Sequence, residues 1–419
     1  MPTESCRIEK PRTGGGCRSL CVAAWAAFAA LGSSGASADG VDPLLTAARS
    51  SKPLVDLRLR FENVEQDGIP EEAHALTLRA RLGFETGKAW NTSLLAETEL
   101  LTPLQDDYNS TTNGHTGFPV VNDPESYEIN RLQLANRSIP DTTIVVGRQR
   151  VLLDDERFIS RVGWRQNEQT FDAVHVINQS IAKLTIDATY FNQVNRVLGK
   201  ESALGRYHGD SYLANVGYET PVGSLVGFGY WLDFEEAPRD SSQTFGMRLS
   251  GKRSVNAIEL AYLASYATQQ EYAGNPLRYD EDFYVFELIG TLREVSLGTG
   301  IETLDGDGVK AFATPLATFH KFLGWADKFT VTPPNGLEHH YATLGFARKS
   351  VGVFDTLGAT LVYHRFESSR LNVDYGSEID LQLQARWRQV NFLIKYADYD
   401  ADAFATDTRK YWLQVEYAL

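Results

Sequence analysis

The sequence predicts an all-β protein, a closed antiparallel transmembrane β-barrel of about eighteen strands with long outer loops and one loop folded into the lumen. Three observations predict it. Apolar and charged residues alternate along many segments, which gives each strand one apolar face and one charged face. These segments run for about nine to twelve residues, the length that a tilted strand needs to cross the hydrocarbon layer. Aromatic residues such as Trp90, Tyr127 and Trp231 gather near the segment ends, where the two membrane interfaces would lie.

The N-terminus reads as a signal peptide over residues 1–38, followed by the barrel over residues 39–419. Four basic residues precede an apolar stretch at 20–31, and Ala36-Ser37-Ala38 is typical of a cleavage site. An apolar stretch of about twelve residues is too short to cross a bilayer as a helix. All three cysteines lie inside this segment, so the exported chain would carry neither disulfides nor a thiolate metal site. The predicted location is the outer membrane.

Alternation predicts the strands one by one. In 57–62 the residues Leu57, Leu59 and Phe61 share one face, and Arg58, Arg60 and Glu62 share the other. A soluble sandwich would also alternate, but arginines and carboxylates together on one face favour an enclosed, wet lumen. The predicted strands lie near 54–63, 74–86, 89–101, 127–137, 142–151, 170–179, 183–195, 209–219, 222–234, 241–251, 254–267, 282–292, 294–304, 338–348, 354–366, 375–388, 389–399 and 408–419. Sixteen remain if 127–137 and 142–151 are irregular.

The C-terminal residues 411–419 alternate in the same way, with apolar residues at every second position back from Leu419. This resembles the terminal strand that the outer-membrane barrel assembly machinery recognises, and we therefore expect that machinery to be a partner. Such strands usually end in Phe or Trp, and Leu419 departs from that pattern. An ordinary edge strand would show the same alternation.

The segment Gly147–Val174 carries five arginines and five acidic residues between two predicted strands. Arginines in a narrow lumen with low-dielectric walls attract anions and bind carboxylates through two parallel hydrogen bonds. The alternative is a set of salt bridges that braces the barrel wall. The predicted pore-lining residues are Arg148, Arg150, Arg161, Arg165, Asp154 and Glu168, with Arg79, Arg81, Arg131 and Arg386 as weaker candidates.

A second long connection, 305–337, is too apolar for a solvated loop of its length. We expect it to pack on itself or to fold into the lumen, where it would narrow the channel. Asp305 and Asp307 resemble the start of a calcium loop, but the later ligands of such a loop are missing. A plain turn is the simpler interpretation, and calcium is the one cofactor left open.

Composition and spacing argue against two function classes. A net charge of −14 with no basic stripe argues against nucleic-acid binding. No serine and histidine stand at a spacing that singles out a catalytic set, and the segment 223–227 lacks the setting of a nucleophile elbow. His339 and His340 are adjacent, so on a strand they would face opposite ways. We therefore expect a protein that is not an enzyme.

The stretches Gly147–Val174 and Thr314–Phe329 resemble segments of the bacterial outer-membrane alginate export channel family. The resemblance implies a monomeric eighteen-stranded barrel with an arginine-rich, anion-attracting lumen and partly occluding loops. It also implies passive export of alginate and places Arg148, Arg150, Arg161 and Arg165 at or near the constriction. The net acidity of this chain departs from a simple polyanion-attracting pore.

Residues and resemblance together predict a passive outer-membrane channel for an anionic solute or a uronate-type saccharide. Its expected partners are outer-membrane lipid and that solute. The alternative, from another class, is a structural or adhesive barrel whose lumen is plugged and conducts nothing. Ion conductance separates the two, because a plugged barrel would pass no current.

Overall fold

The computed structural model describes residues 42–419, so the predicted signal peptide lies outside the described residues. A short helix, α1 (Pro43–Arg49), precedes the barrel; Asp42 caps it by accepting a hydrogen bond from the backbone N–H of Leu44 (2.9 Å). Within the described part of the chain, no helix is long and apolar enough to cross a membrane. The eighteen strands are β1 Lys52–Gln66, β2 Ala73–Glu85, β3 Thr92–Asp107, β4 Ser126–Asn136, β5 Thr142–Gln149, β6 Thr170–Asn178, β7 Leu184–Asn195, β8 Arg206–Thr220, β9 Gly223–Leu232, β10 Ser242–Val255, β11 Ile258–Glu271, β12 Asp280–Leu292, β13 Val295–Leu304, β14 Leu337–Val351, β15 Phe354–Glu367, β16 Asp374–Trp387, β17 Val390–Ala401 and β18 Thr408–Ala418.

The strands form one closed sheet. Each strand pairs antiparallel with the strands before and after it in the chain, and β1 pairs with β18 to close the barrel. Short turns at one end alternate with longer connections at the other. The predicted eighteen-stranded barrel is confirmed, and the two weakest predicted strands are β4 and β5. Because β1 pairs with β18, the described sheet has no unpaired edge. A strand in lipid requires this, since its backbone polar groups can form hydrogen bonds only within the protein.

Along β1 and β2, leucines face outward and arginines face inward. On β2, Leu78 and Leu82 are exposed, whereas Arg79 and Arg81 between them are buried. The same alternation on β1 exposes Leu57 and Leu59 and buries the two arginines of that strand. A soluble protein shows the reverse arrangement, so these exposed apolar rows are the lipid-facing surface.

The outward rows lead to a stability prediction. Leu381 lies midway along β16 and faces outward, where Leu381→Arg would put a guanidinium into hydrocarbon. We expect Leu381→Arg to lower the free energy of unfolding in lipid vesicles by about 2–4 kcal/mol. Gln382→Arg, on the opposite face of the same strand, is the control and should cost much less. Equal losses for the two variants would contradict the assignment of faces.

Two long connections fold into the barrel rather than over it. We call 150–169 the first inward loop and 305–336 the second inward loop. Ile159 forms an isolated parallel bridge with Leu316, which joins the two loops inside the lumen. Around this bridge a buried apolar cluster forms, in which Phe158 and Phe312 of the loops pack against Phe283 of the wall. The inner wall is therefore apolar around this bridge, a feature that alternation alone does not reveal.

Candidate functional site

The first inward loop follows the inner wall around most of the barrel. It leaves β5, contacts β8, β10 and β13, and returns along β1, β2 and β4 to β6. The polar contacts that trace this path are Asp154–Asn215 (2.8 Å), Asp155–Arg248 (3.6 Å), Arg157–Glu302 (3.3 Å), Arg165–Glu62 (3.4 Å), Gln166–Thr77 (2.8 Å) and Asn167–Ser126 (2.7 Å). The charged stretch therefore narrows the lumen, and several of its charges hold the loop to the wall.

The second inward loop is anchored on two carboxylates of β16. The backbone N–H of Trp325 donates to Asp380 (3.2 Å), and that of Ala326 donates to Glu378 (2.7 Å). Gly324 has φ +83°, and a Cβ there would lie 2.4 Å from a Glu378 carboxylate oxygen. Glycine is needed at this position because only it allows both the backbone conformation and the close approach.

Asp327, three residues further along, ties the two loops together. Its carboxylate accepts from Arg165 of the first inward loop (2.6 Å) and from Lys410 of β18 (2.9 Å), and it contacts His320 (2.9 Å). Burial alone would raise the pKa of Asp327. The charges of Lys410, His320 and Arg165 outweigh burial and hold that pKa well below its ordinary value.

Lys395 of β17 forms the second tie between the loops. Its ammonium lies 3.5 Å from the ring centre of Trp325 and 4.1 Å from that of Trp164, one from each inward loop. It also contacts the His320 ring nitrogen Nε2 (2.7 Å). A desolvated ammonium between aromatic faces is stabilised by cation–π attraction, so this lysine fixes the relative position of the loops.

A cluster of arginines from β2, β4 and the first inward loop surrounds the buried carboxylate of Glu168. Arg150 contacts this carboxylate at 2.5 Å and Arg81 at 3.3 Å, and Asn130 donates to it at 2.6 Å. Arg131 binds Glu97 beside them at 2.6 Å. Burial raises the pKa of Glu168, but the two arginines outweigh it and lower that pKa to about 2. Glu168 therefore stays ionised at neutral pH.

Acidic partners neutralise most of the remaining arginines. Arg79 pairs with Asp56 and Glu416, and Arg58 pairs with Glu416 at 2.9 Å. Both guanidinium groups are almost fully buried. Three arginines of the cluster around Glu168 stay partly exposed: the exposed fraction of the side chain is 40% for Arg161, 21% for Arg150 and 14% for Arg131. Arg161 lies 4.0 Å from Glu168, the longest ion pair in this cluster.

Two predicted pore-lining residues lie apart from the cluster around Glu168. Arg148 is paired across the sheet with the exposed Leu132, so it shares the outward face, where it binds Asp172 through two hydrogen bonds (2.7 and 2.9 Å). β5 ends at Gln149, and only beyond that point does the chain turn inward and carry Arg150 into the lumen. Arg386 is exposed near the turn end of β16 and donates to the backbone carbonyl of Arg388 (3.0 Å).

Three further predicted residues have specific positions. Arg165 is buried between Glu62 and Asp327, and it serves the tie between the loops. Asp307 closes a turn by accepting from the backbone N–H groups of Val309 (2.7 Å) and Lys310 (2.8 Å). Asp305 lies at the start of the second inward loop, where its backbone carbonyl accepts from the N–H of Phe312 (2.8 Å). Within residues 42–419, no group of three or more His, Cys, Asp or Glu side chains could hold a metal ion.

Several residues that hold the loops in place were not predicted from the sequence. Lys395, Lys410 and Asp327 form the tie between the loops, and Arg157 and Arg248 connect the first inward loop to β13 and β10. Alternation on β17 and β18 does place both lysines on the inward face, which is the one available indication. Nothing in the sequence pairs them with a residue of a loop that precedes them by more than sixty positions.

No protein-family model matches the sequence, and no curated protein matches it either. Solved structures do share the fold. OpdO from Pseudomonas aeruginosa superposes with a TM-score of 0.69 at 14% identity, over 90% of this chain and 99% of that chain. OccAB4 from Acinetobacter baumannii gives 0.69 at 14% identity, over 88% and 98%. OpdK from Pseudomonas aeruginosa, solved with vanillate, gives 0.67 at 14% identity, over 89% and 99%.

These structures correct the family resemblance. The expected membership of the alginate export channels is wrong, because the matching barrels are outer-membrane porins of another family. Charged stretches that cross a lumen need paired arginines and acids in any such barrel, so Gly147–Val174 is not specific to one family. The chain has the eighteen-stranded fold of the outer-membrane porins, a class of channels and not of enzymes, and it lies in the outer membrane.

Proposed function

We propose that this porin passively admits small anionic solutes, with carboxylates as the preferred class. The observation that carries the proposal is the position of Arg131, Arg150 and Arg161. Their guanidinium groups remain partly exposed in a lumen that two inward loops narrow. A small solute fits this geometry better than a polymer, because the loops and the apolar cluster around Phe158 occupy much of the interior.

The charges around Glu168 support this selectivity. Glu97 and Glu168 neutralise part of the positive charge and fix the guanidinium groups in place. Arg161 has the weakest pairing of the cluster, so its donors are the most available to a passing carboxylate. Low-dielectric walls focus the field of such a group and raise the local concentration of anions. Passive flow then follows the solute gradient in either direction.

The vanillate in the OpdK structure is consistent with this class, since vanillate is a small carboxylate. At 14% identity the comparison adds only that a barrel of this shape has room for such a ligand. The proposal for this chain rests on its own arginines. We also propose that the chain acts as a monomer and that the barrel assembly machinery inserts it.

The test is the ion selectivity of a double variant. Arg150→Gln with Arg161→Gln removes the two most exposed charges of the cluster, so we expect the anion-to-cation permeability ratio to fall by about tenfold. The reversal potential across a planar bilayer under a salt gradient measures this ratio.

Arg148→Gln is the matched control. It removes the same charge from the outward face and should leave the reversal potential unchanged. A double variant with the selectivity of the unmodified protein would contradict the proposal and would reduce these arginines to a bracing role.

A further inference from the structure

A cavity lies across the lumen from the arginine cluster. Its volume is about 550 Å³, and it opens between the second inward loop and the wall formed by β10 to β15. Ligand pockets commonly enclose about 300–1,000 Å³, so a molecule the size of a monosaccharide fits. The arginine cluster sits on β2, β4 and the first inward loop, which makes the two regions separate.

Arg248 lines this cavity with a guanidinium that has unused hydrogen-bond donors. It donates one hydrogen bond, to the Ser250 hydroxyl (3.0 Å), and its nearest carboxylate oxygen, on Asp155, is 3.6 Å away. Its Nε is buried and has no hydrogen-bond partner among the described residues, so the terminal NH2 groups are the ones that face the cavity. A guanidinium carries five N–H donors, so donors remain for a ligand carboxylate. Lys321 lines the same cavity and adds a second, half-exposed cation.

The rest of the lining favours hydroxyl groups on the ligand. Glu287 accepts from the Tyr341 hydroxyl (2.7 Å) and keeps a second carboxylate oxygen for other donors. Thr343 and Thr360 add hydroxyls further along the wall. A carboxylate and several hydroxyls on a protein wall suit the hydroxyl-rich edge of a sugar.

Two aromatic residues of the cavity, Phe322 and Trp325, already face cations. Arg157 covers the ring of Phe322 at 3.9 Å, and Lys395 covers that of Trp325 at 3.5 Å. A ligand that depends on stacking an aromatic ring would have to compete with these cations. This arrangement favours a hydroxylated acid over an aromatic one.

We infer that this cavity is a solute-binding site for a sugar acid, with its carboxylate on Arg248 and Lys321 and its hydroxyls toward Glu287 and the threonines. The inference rests on the proposed function and deepens it, because it adds a binding site opposite the selectivity cluster. A solute drawn in by the cluster could be held here before it leaves.

The experiment is calorimetric titration of the purified, detergent-solubilised full-length barrel with glucuronate, with glucose and benzoate as comparison ligands. We expect glucuronate to bind more tightly than either comparison ligand. Arg248→Gln should weaken glucuronate binding by about tenfold or more, since it removes a charge-assisted hydrogen bond. Arg386→Gln, which removes an arginine outside the cavity, is the control and should bind glucuronate as the unmodified protein does.

Two results would overturn the site: unchanged glucuronate affinity in Arg248→Gln, or benzoate binding as tightly as glucuronate. Lys321→Gln provides a second variant on an exposed side chain, whose loss leaves folding intact, and it should also weaken binding. Calorimetry measures binding whether or not the barrel conducts, so the site and the channel can fail separately. A barrel that passes no current but binds glucuronate through Arg248 would refute the proposed channel and support the site. A barrel that conducts anions but shows no Arg248-dependent binding would support the channel and refute the site.

Discussion

Asp327→Ala is expected to lower the free energy of unfolding by about 3–5 kcal/mol, the usual cost of removing one partner from a buried ion pair. Without this carboxylate, Arg165 keeps only Glu62, at 3.4 Å, and Lys410 keeps only the same residue, at 4.0 Å. The buried positive charges would then repel one another. Equilibrium unfolding by guanidinium chloride in detergent measures the loss.

The same variant should release the second inward loop. Limited proteolysis is expected to cut within 305–336 in Asp327→Ala and to spare this segment in the unmodified barrel. Glu71→Ala removes an exposed carboxylate from the connection between β1 and β2, and it is the control for both measurements. If Asp327→Ala has the same free energy of unfolding and the same resistance to protease as the control, Asp327 does not hold the loops together.

Glu168→Gln is expected to raise the anion-to-cation permeability ratio by about tenfold, opposite in sign to the arginine variants. Glu168 is ionised at neutral pH, because Arg81 and Arg150 lower its pKa to about 2. Its neutralisation leaves those two guanidinium groups without their shared counter-charge. The reversal potential under a salt gradient measures the change.

Glu201→Gln, in the exposed connection between β7 and β8, is the control for this charge change. It should leave the reversal potential where it is in the unmodified protein. A Glu168→Gln barrel that becomes more permeable to cations, or that does not change, would show that the cluster around Glu168 does not set selectivity.

Much of the fold follows from the sequence because the rule that specifies it is local. A strand in a barrel wall must present one face to lipid and one to water. The residue types alone therefore predict that Leu78 faces lipid and that Arg79 faces the lumen. The residue at which a strand ends is harder to predict from the local sequence. The sequence pattern places Arg148 and Arg150 on one face, two positions apart, but β5 ends at Gln149, so only Arg150 turns into the lumen.

The tie between the loops could not be predicted, because it depends on contacts between distant parts of the chain. Ile159 meets Leu316, and Arg165 meets Asp327, although each pair is far apart in the sequence. The position of Glu168 was easier to predict, since it lies in the same charged stretch as Arg150. The family resemblance failed for a related reason: paired charges in a lumen are a physical requirement of the fold and do not identify a family.

Single-channel recording from the purified barrel in planar lipid bilayers tests the central claim most directly. An open porin predicts stepwise increases in current as each barrel inserts, with anions carrying the larger share. A membrane that takes up the folded protein but shows no steps would contradict the account, and it would mean that the two inward loops plug the lumen.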